Sequence, residues 1–278
     1  MLRLRLRNPH NLCYANATIN MFLWHGMVHE RQLEQADTYG QLRHPLERLR
    51  QVGNACLQDI PFWLTLLQQF QTFLHTRFDR QQDAVEFLGF MLEYARPSAY
   101  AGLWQSRYQF GPAVCVADSG HPLQPITLEL NSRGLQASIV DWHVQPPFPY
   151  AFCQAPRMLF FQLKRWAQKD PRRPARKDLM PFPFEVGAPI DLPIFERAQG
   201  LHVQWQRYRL VTVLVHTGMH PWAGHYRSIL SGFRQLPNGD TTWMTMLTDD
   251  GREVRLCSSA EMQHAISNCY LFGLCRDS

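Results

Sequence analysis

Hydrophobic positions recur at helical spacing through the first third of the chain and at strand spacing afterwards. Tyr14 to Trp24 runs without Pro or Gly and ends in Met21, Phe22, Leu23 and Trp24. That pattern predicts a buried helix over Tyr14–Met27. Between Tyr39 and Leu57, Leu42, Leu46 and Leu49 keep helical spacing, with Pro45 as a predicted interruption. Phe62 to Phe73 carries Leu64, Leu66, Leu67 and Phe70. In the next segment Val85, Leu88 and Leu92 share one face, and Asp79 with Gln82 three places on reads as a capping pair.

From Pro97 onward Pro and Gly become frequent and the period shortens. Gln124–Asn131, Met158–Leu163, Tyr208–His216, Tyr226–Leu230 and Trp243–Leu247 read as strands. Turn signals at Gly218 to Gly224, at Pro237-Asn238-Gly239-Asp240 and at Asp249-Asp250-Gly251 predict antiparallel hairpins. The resulting fold class is α+β: a helical lobe followed by a largely antiparallel lobe.

Composition narrows the picture. The chain has 278 residues, 45% of them hydrophobic, which is enough for one large domain or two intimate lobes. A net charge of +5 from 28 basic and 23 acidic residues is small and scattered, so nucleic acid is not an expected partner. The dense basic cluster, Arg172, Arg173, Arg176 and Lys177, lies in a Pro-rich stretch from Pro171 to Pro183 and reads as a solvated surface loop. The seven cysteines are widely spaced, with no Cys-x-x-Cys pair. Neither a zinc ribbon nor a disulfide framework is predicted, and free thiols suit a reducing compartment. The first residues lack the apolar core of a signal peptide, and no apolar run approaches the roughly 20 residues that span a bilayer. The expectation is a soluble intracellular protein, cytoplasmic or nuclear, with no membrane partner and no cofactor.

The candidate chemistry begins at Cys13. Asn8, Pro9, His10 and Asn11 are turn formers, so Cys13 falls on the first turn of the predicted helix. Unpaired N–H groups at a helix start favour an anion, and a thiolate is the nucleophilic form of a cysteine. Alone, a cysteine beside an apolar run is as readily a small buried hydrophobe. A thiol hydrolase also needs an imidazole, a group that orients it, and donors for an oxyanion. His225, in Gly224-His225-Tyr226 at the start of a predicted strand, is the leading base among twelve histidines, with His216 and His220 competing. Asp249 and Asp250 stand where an antiparallel return could bring either beside His225, although Asp-Gly is also a plain turn signal. Asn8 and Asn11 both offer a side-chain amide just before the thiol, and either could instead close an Asx turn.

Four blocks, in order along the chain, resemble the ubiquitin-specific protease family of cysteine deubiquitinases. Asn8-Pro9-His10-Asn11-Leu12-Cys13-Tyr14-Ala15-Asn16 is similar to its cysteine box. Gln81-Gln82-Asp83-Ala84-Val85-Glu86-Phe87 is close to its Gln-Gln-Asp-Ala-x-Glu-Phe signature. Pro156 to Trp166 resembles its strand ending in Leu-Lys-Arg-Phe. Tyr208 through Gly224-His225-Tyr226 to Trp243, Asp249 and Asp250 resembles its histidine box.

The resemblance implies a papain-like fold. Residues 1–278 would form a single catalytic domain, with a helical thumb-like lobe over 1–98 and a β-rich palm with reduced fingers over 99–278. It implies Cys13 as nucleophile, His225 as base, Asp249 as orienting group with Asp250 assisting or replacing it, and Asn8 in the oxyanion hole. Asp83 and Gln82 would meet the extended tail of the substrate, and Gly224 and Tyr226 would wall a slot for its Gly-Gly terminus. The partner would be ubiquitin or a related modifier and its conjugates, cleaved after the terminal glycine. The alternative is a protease-derived module that holds ubiquitin without cleaving it. Two departures carry expectations of their own. His10 stands where the family usually has Gly, which predicts a rearranged turn before Cys13. The Cys-x-x-Cys pairs of many members are missing, which predicts a metal-free domain.

Overall fold

The protein is described by a computed structural model covering residues 4–32, 37–75, 80–167, 175–220, 222–235 and 239–277. Helix α1 (Cys13–Gln32) is buried on every side from Cys13 to Gly26, with Asn16, Thr18, Asn20 and His25 among its apolar residues. Its polar residues are bonded internally: Thr18 Oγ1 donates to the carbonyls of Tyr14 and Ala84, and His25 bonds Tyr100 Oη and the Leu274 carbonyl. Around it lie α2 (Arg43–Val52), α3 (Pro61–Phe73) and α4 (Ala84–Ala95), with a short parallel pair of β1 (Arg5–Arg7) and β2 (Asn54–Cys56).

Two expectations for this lobe change. Pro45 does not interrupt α2, because it falls in the first turn, where a missing N–H leaves no hydrogen bond broken. Asp79 lies outside the described residues, and α4 begins later than predicted. It is capped by Asp83, whose carboxylate accepts from the Val85 N–H.

The second lobe is one large sheet. Its strands are β3 (Leu103–Phe110), β4 (Ala113–Gly120), β5 (Ile126–Leu128), β6 (Tyr150–Gln154), β7 (Met158–Leu163), β10 (Pro189–Phe195), β11 (Val203–His220), β12 (Ala223–Gln235), β13 (Thr241–Thr248), β14 (Arg255–Leu256) and β15 (Cys269–Arg276). Two short strands between them, β8 (Trp166–Ala167) and β9 (Arg176–Lys177), form a separate pair. The main path runs β14-β13-β12-β11-β10-β6-β3-β4, and β15 bridges β11 to β7. The long β11 carries β10 and then β12 along one edge and β15 along the other. Leu210, Val211, Val213, Leu214 and Val215 therefore point into apolar cores on both faces of the sheet, in a run broken only by the buried Thr212. On one face Val211, Leu214 and Leu230 pack with α1; on the other, Leu210, Val213 and Ile229 join the cluster around α5 (Leu135–His143) and α6 (Ser259–Asn268). The β3–β4 ribbon ends the sheet at its far edge, and helices packed on one large, mostly antiparallel sheet fit the expected α+β class.

Lys177 corrects the surface-loop reading of the basic cluster. Arg172 and Arg173 lie outside the described residues and Arg176 is exposed, but Lys177 is buried. Its Nζ donates to the His216 carbonyl and to Asn268 Oδ1, and burial pushes its pKa down to about 8. Arg165, in the Leu-Lys-Arg-Trp stretch, is wholly buried, and among the described residues no carboxylate pairs with it. Its guanidinium donates instead to the carbonyls of Cys269, Asp178, Met180 and Ile266, holding β15, α6 and the Asp178–Met180 segment together. Replacing Arg165 with Met would remove the guanidinium's hydrogen bonds to those four carbonyls, of which Ile266 would keep the Phe182 N–H. We expect a stability loss of about 3–5 kcal/mol, read as a lowered urea midpoint with an unchanged slope.

Candidate active site

The chain turns sharply before α1. Asn8 Oδ1 accepts the Leu12 N–H at 2.5 Å, and the Leu12 carbonyl accepts the Asn16 N–H at 2.9 Å, which closes the first helical turn. The left-handed residue in this turn is Asn11, with φ of 58°, not His10. Asparagine tolerates that region, so the missing glycine costs the turn little. Cys13 is the first residue of α1 and is 2% exposed.

His225 sits on β12 opposite Thr217 of β11. Gly224 beside it has φ of 152°, and a Cβ there would fall 2.2 Å from the Thr217 carbonyl oxygen, so the hairpin neck admits only glycine. The β12–β13 register pairs Ser228 with Thr248 and delivers the next residue, Asp249, to His225. Nε2 of His225 lies 2.6 Å from Asp249 Oδ1, and the ring also hydrogen-bonds the Cys13 thiol. These two bonds push the His225 pKa up to about 10, while the imidazole holds the Asp249 carboxyl below its ordinary range. Arg252 Nη1 donates to the other Asp249 oxygen at 3.2 Å.

The neighbouring carboxylate is engaged elsewhere. Asp250, in the left-handed region with φ of 47°, accepts from Asn8 Nδ2 and Asn16 Nδ2, both at 2.9 Å. It lies 3.9 Å from His225 Nδ1. Burial raises its pKa. Asn16 also donates to the Leu6 carbonyl. Nothing in the sequence pattern singled out Asn16, although its place three residues after Cys13 puts both on one helix face. Ligand atoms of His225, Asp249 and Asp250 all lie within 4.8 Å of one another, the described grouping closest to a metal-site geometry. Each of the three already has partners within the protein.

Neither competing histidine joins this hydrogen-bonded set. His216 is fully buried with both ring nitrogens unpartnered, and burial with the charge of Lys177 pushes its pKa down to about 3. His220 stacks on Trp222 at the hairpin tip. Beyond Gly224 opens a cleft of about 770 Å³, lined among others by Asn11, Arg80, Gln82 and Trp222. Asp83 stands next to this wall, but its oxygens accept from the Val85 N–H and from Tyr270 Oη at 2.8 Å. Tyr226 does not face the cleft: it is 1% exposed, with its ring 4.4 Å from that of His216. It backs the slot from the core.

Comparisons with known proteins give the family and the fold. The model of the ubiquitin carboxyl-terminal hydrolase family matches residues 4–271. No curated protein matches the sequence. Similar solved structures include a SAGA DUB module of Ubp8, Sgf11, Sus1 and Sgf73 bound to monoubiquitin, with a TM-score of 0.63 at 15% identity, over 100% of this chain and 71% of that one. The same module bound to ubiquitin aldehyde gives a TM-score of 0.65 at 15% identity over the same shares. At this identity the likeness is one of fold. Among the described residues, no helix is long and apolar enough to cross a membrane.

The proton on His225 has a defined pH signature. Its pKa is raised from 6.5 to about 10 in the folded state, so its stabilising contribution is complete below 6.5 and fades as pH rises through about 10. A ring-proton NMR titration should place the His225 midpoint near the upper value. Asp249→Asn should bring it back toward 6.5, whereas a midpoint unmoved by that substitution would mean Asp249 does not control the ring.

Proposed function

The chain belongs to the ubiquitin carboxyl-terminal hydrolase family, and from that premise we propose that it is a cysteine-dependent deubiquitinase. Its substrate is the peptide or isopeptide bond after the C-terminal glycine of ubiquitin or a related modifier. The observation that carries this reading is the hydrogen-bonded sequence Cys13–His225–Asp249, standing at the Gly224 end of a cleft.

The steps follow from the geometry. Cys13 Sγ attacks the glycine carbonyl carbon while His225 holds the thiol proton, and the bond to the amine breaks as His225 passes that proton to it. The resulting thioester is hydrolysed by a water that His225 deprotonates, freeing the modifier's carboxylate and the thiol. Asp249 fixes the tautomer and orientation of the imidazole through Nε2, which leaves Nδ1 for the thiol. Asn8, carried by the turn before Cys13, donates to the oxyanion together with backbone N–H groups at the start of α1. Asp250 assists by anchoring the Asn8 amide. Gln82, Asp83 and Gly224 meet the extended tail, with Tyr226 behind them.

Residues 1–278 act in this reading as one catalytic domain, with a helical lobe over 1–98 and a β-rich lobe over 99–278. All seven cysteines are free, which suits an intracellular, reducing setting.

A ubiquitin probe bearing a C-terminal electrophile should label the protein once, at Cys13, and Cys13→Ala should abolish both labelling and turnover. Asn8→Ala should lower kcat by about 10²–10³-fold with a smaller change in KM. Binding of ubiquitin without any turnover by the folded protein would favour the non-cleaving module instead. Turnover measured side by side on ubiquitin and related modifiers identifies the partner.

A further inference from the structure

The large sheet ends on β4, which among the described strands pairs with β3 alone. A two-residue turn, Gly111-Pro112, joins the two, with Gly111 at φ of 58° and Phe110 opposite Ala113. Such a turn closes on a hydrogen-bonded pair, and bonded and non-bonded pairs then alternate along the ribbon. Ala113 and Cys115 therefore turn their main-chain groups inward to Phe110 and Tyr108, while Val114 and Val116 turn theirs outward from the sheet.

Edge strands are ordinarily guarded by charged side chains, prolines or bulges. No side chain from Phe110 to Ala117 is charged, and Pro112 lies in the turn. The ribbon's bulge falls at Ala117, beyond Val116, and leaves the outward groups before it undisturbed. Val116 is 50% exposed, and Phe110, beside Ala113, is 72% exposed. The order of residues along this edge is its own reverse: Ala113-Val114-Cys115-Val116-Ala117. An antiparallel neighbour runs the opposite way, so a second copy of the edge presents the same order that it meets.

We propose that β4 is the contact of a homodimer, paired antiparallel about a two-fold axis at Cys115. Val114 of each copy exchanges N–H···O=C bonds with Val116 of the other, using the groups that point outward. Cys115 faces its own equivalent as a non-bonded pair, with Cα atoms about 4.5 Å apart. In this register Asp118, the first charged residue, falls opposite Pro112 and not opposite another acid. The contact is isologous, so it closes on itself and leaves no edge for a third copy. A strand of unrelated sequence would make the same main-chain bonds without the match of valine to valine. The path β13-β12-β11-β10-β6-β3 separates β4 from His225 and Asp249, so pairing there does not involve the site, and the inference does not rest on the hydrolase reading.

Sedimentation velocity on the full chain should show monomer giving way to dimer as concentration rises, with a dissociation constant on the order of 10–100 µM for so short a contact. Val114→Pro removes an outward N–H that β3 does not use and should weaken association by about tenfold or more. Cys115→Lys sets like charges face to face on the axis and should do the same, whereas Cys115→Ser should leave the dimer intact. Dibromobimane, which bridges two adjacent thiols, should link the copies through Cys115 and fail to link Cys115→Ser. The urea midpoint of each variant reports that it is folded. A monomer at every concentration, a dimer that either disruptive substitution leaves unchanged, or a link through another cysteine would overturn the proposal.

Discussion

The contact on which the site depends is the 2.6 Å bond between His225 Nε2 and Asp249 Oδ1. It forms because β12 and β13 pair antiparallel with Ser228 opposite Thr248, so the residue leaving β13 comes back beside the residue entering β12. Shifting that register by one residue would turn Ile229 and Leu247 out of their core and Leu230 and Met246 out of theirs. The apolar packing on the two faces of the sheet thus specifies a polar contact at its edge. With one imidazole nitrogen committed to Asp249, the other is left for the thiol that α1 delivers from the opposite lobe.

A second circuit steadies the thiol side. Asp250 gathers the amides of Asn8 and Asn16, and Asn16 reaches on to the Leu6 carbonyl of β1. One turn, one buried helix and one edge strand meet at a single carboxylate. That carboxylate occupies a backbone conformation few residues adopt readily, a cost the surrounding hydrogen bonds offset. The adjacent aspartates divide the work: Asp249 faces the imidazole, and Asp250 faces the turn that carries Asn8.

Away from the site, the buried cations Arg165 and Lys177 show how the rest of the sheet is held. Among the described residues neither has a carboxylate partner; both place donors on carbonyl or amide oxygens. A guanidinium can serve several carbonyls at once because its donors form a fixed planar fork. The Lys-Arg pair before Trp166 thus divides by surroundings: Lys164 bridges to Glu129 at the surface while Arg165 organises the interior.

Much of this was written in the chain itself. The stretch after Cys13, free of Pro and Gly and apolar at its end, determined a buried helix with the thiol on its first turn, and alternating runs with Gly and Asp-Gly turns determined the hairpins that carry His225 and Asp249. These are local properties, fixed by side-chain period and turn chemistry. Register, burial and the choice among equivalent groups are not local. Asp249 and Asp250 are the same residue type one position apart, and only the return of β13 decides which meets the ring. Lys177 reads as solvated until the fold covers it, and Asn16 reads as a filler until Asp250 arrives beside it. Tyr226 reads as a slot wall until its ring is found in the core against His216. In each case the deciding partner is distant in sequence, so tertiary packing had to supply what no window of residues contains.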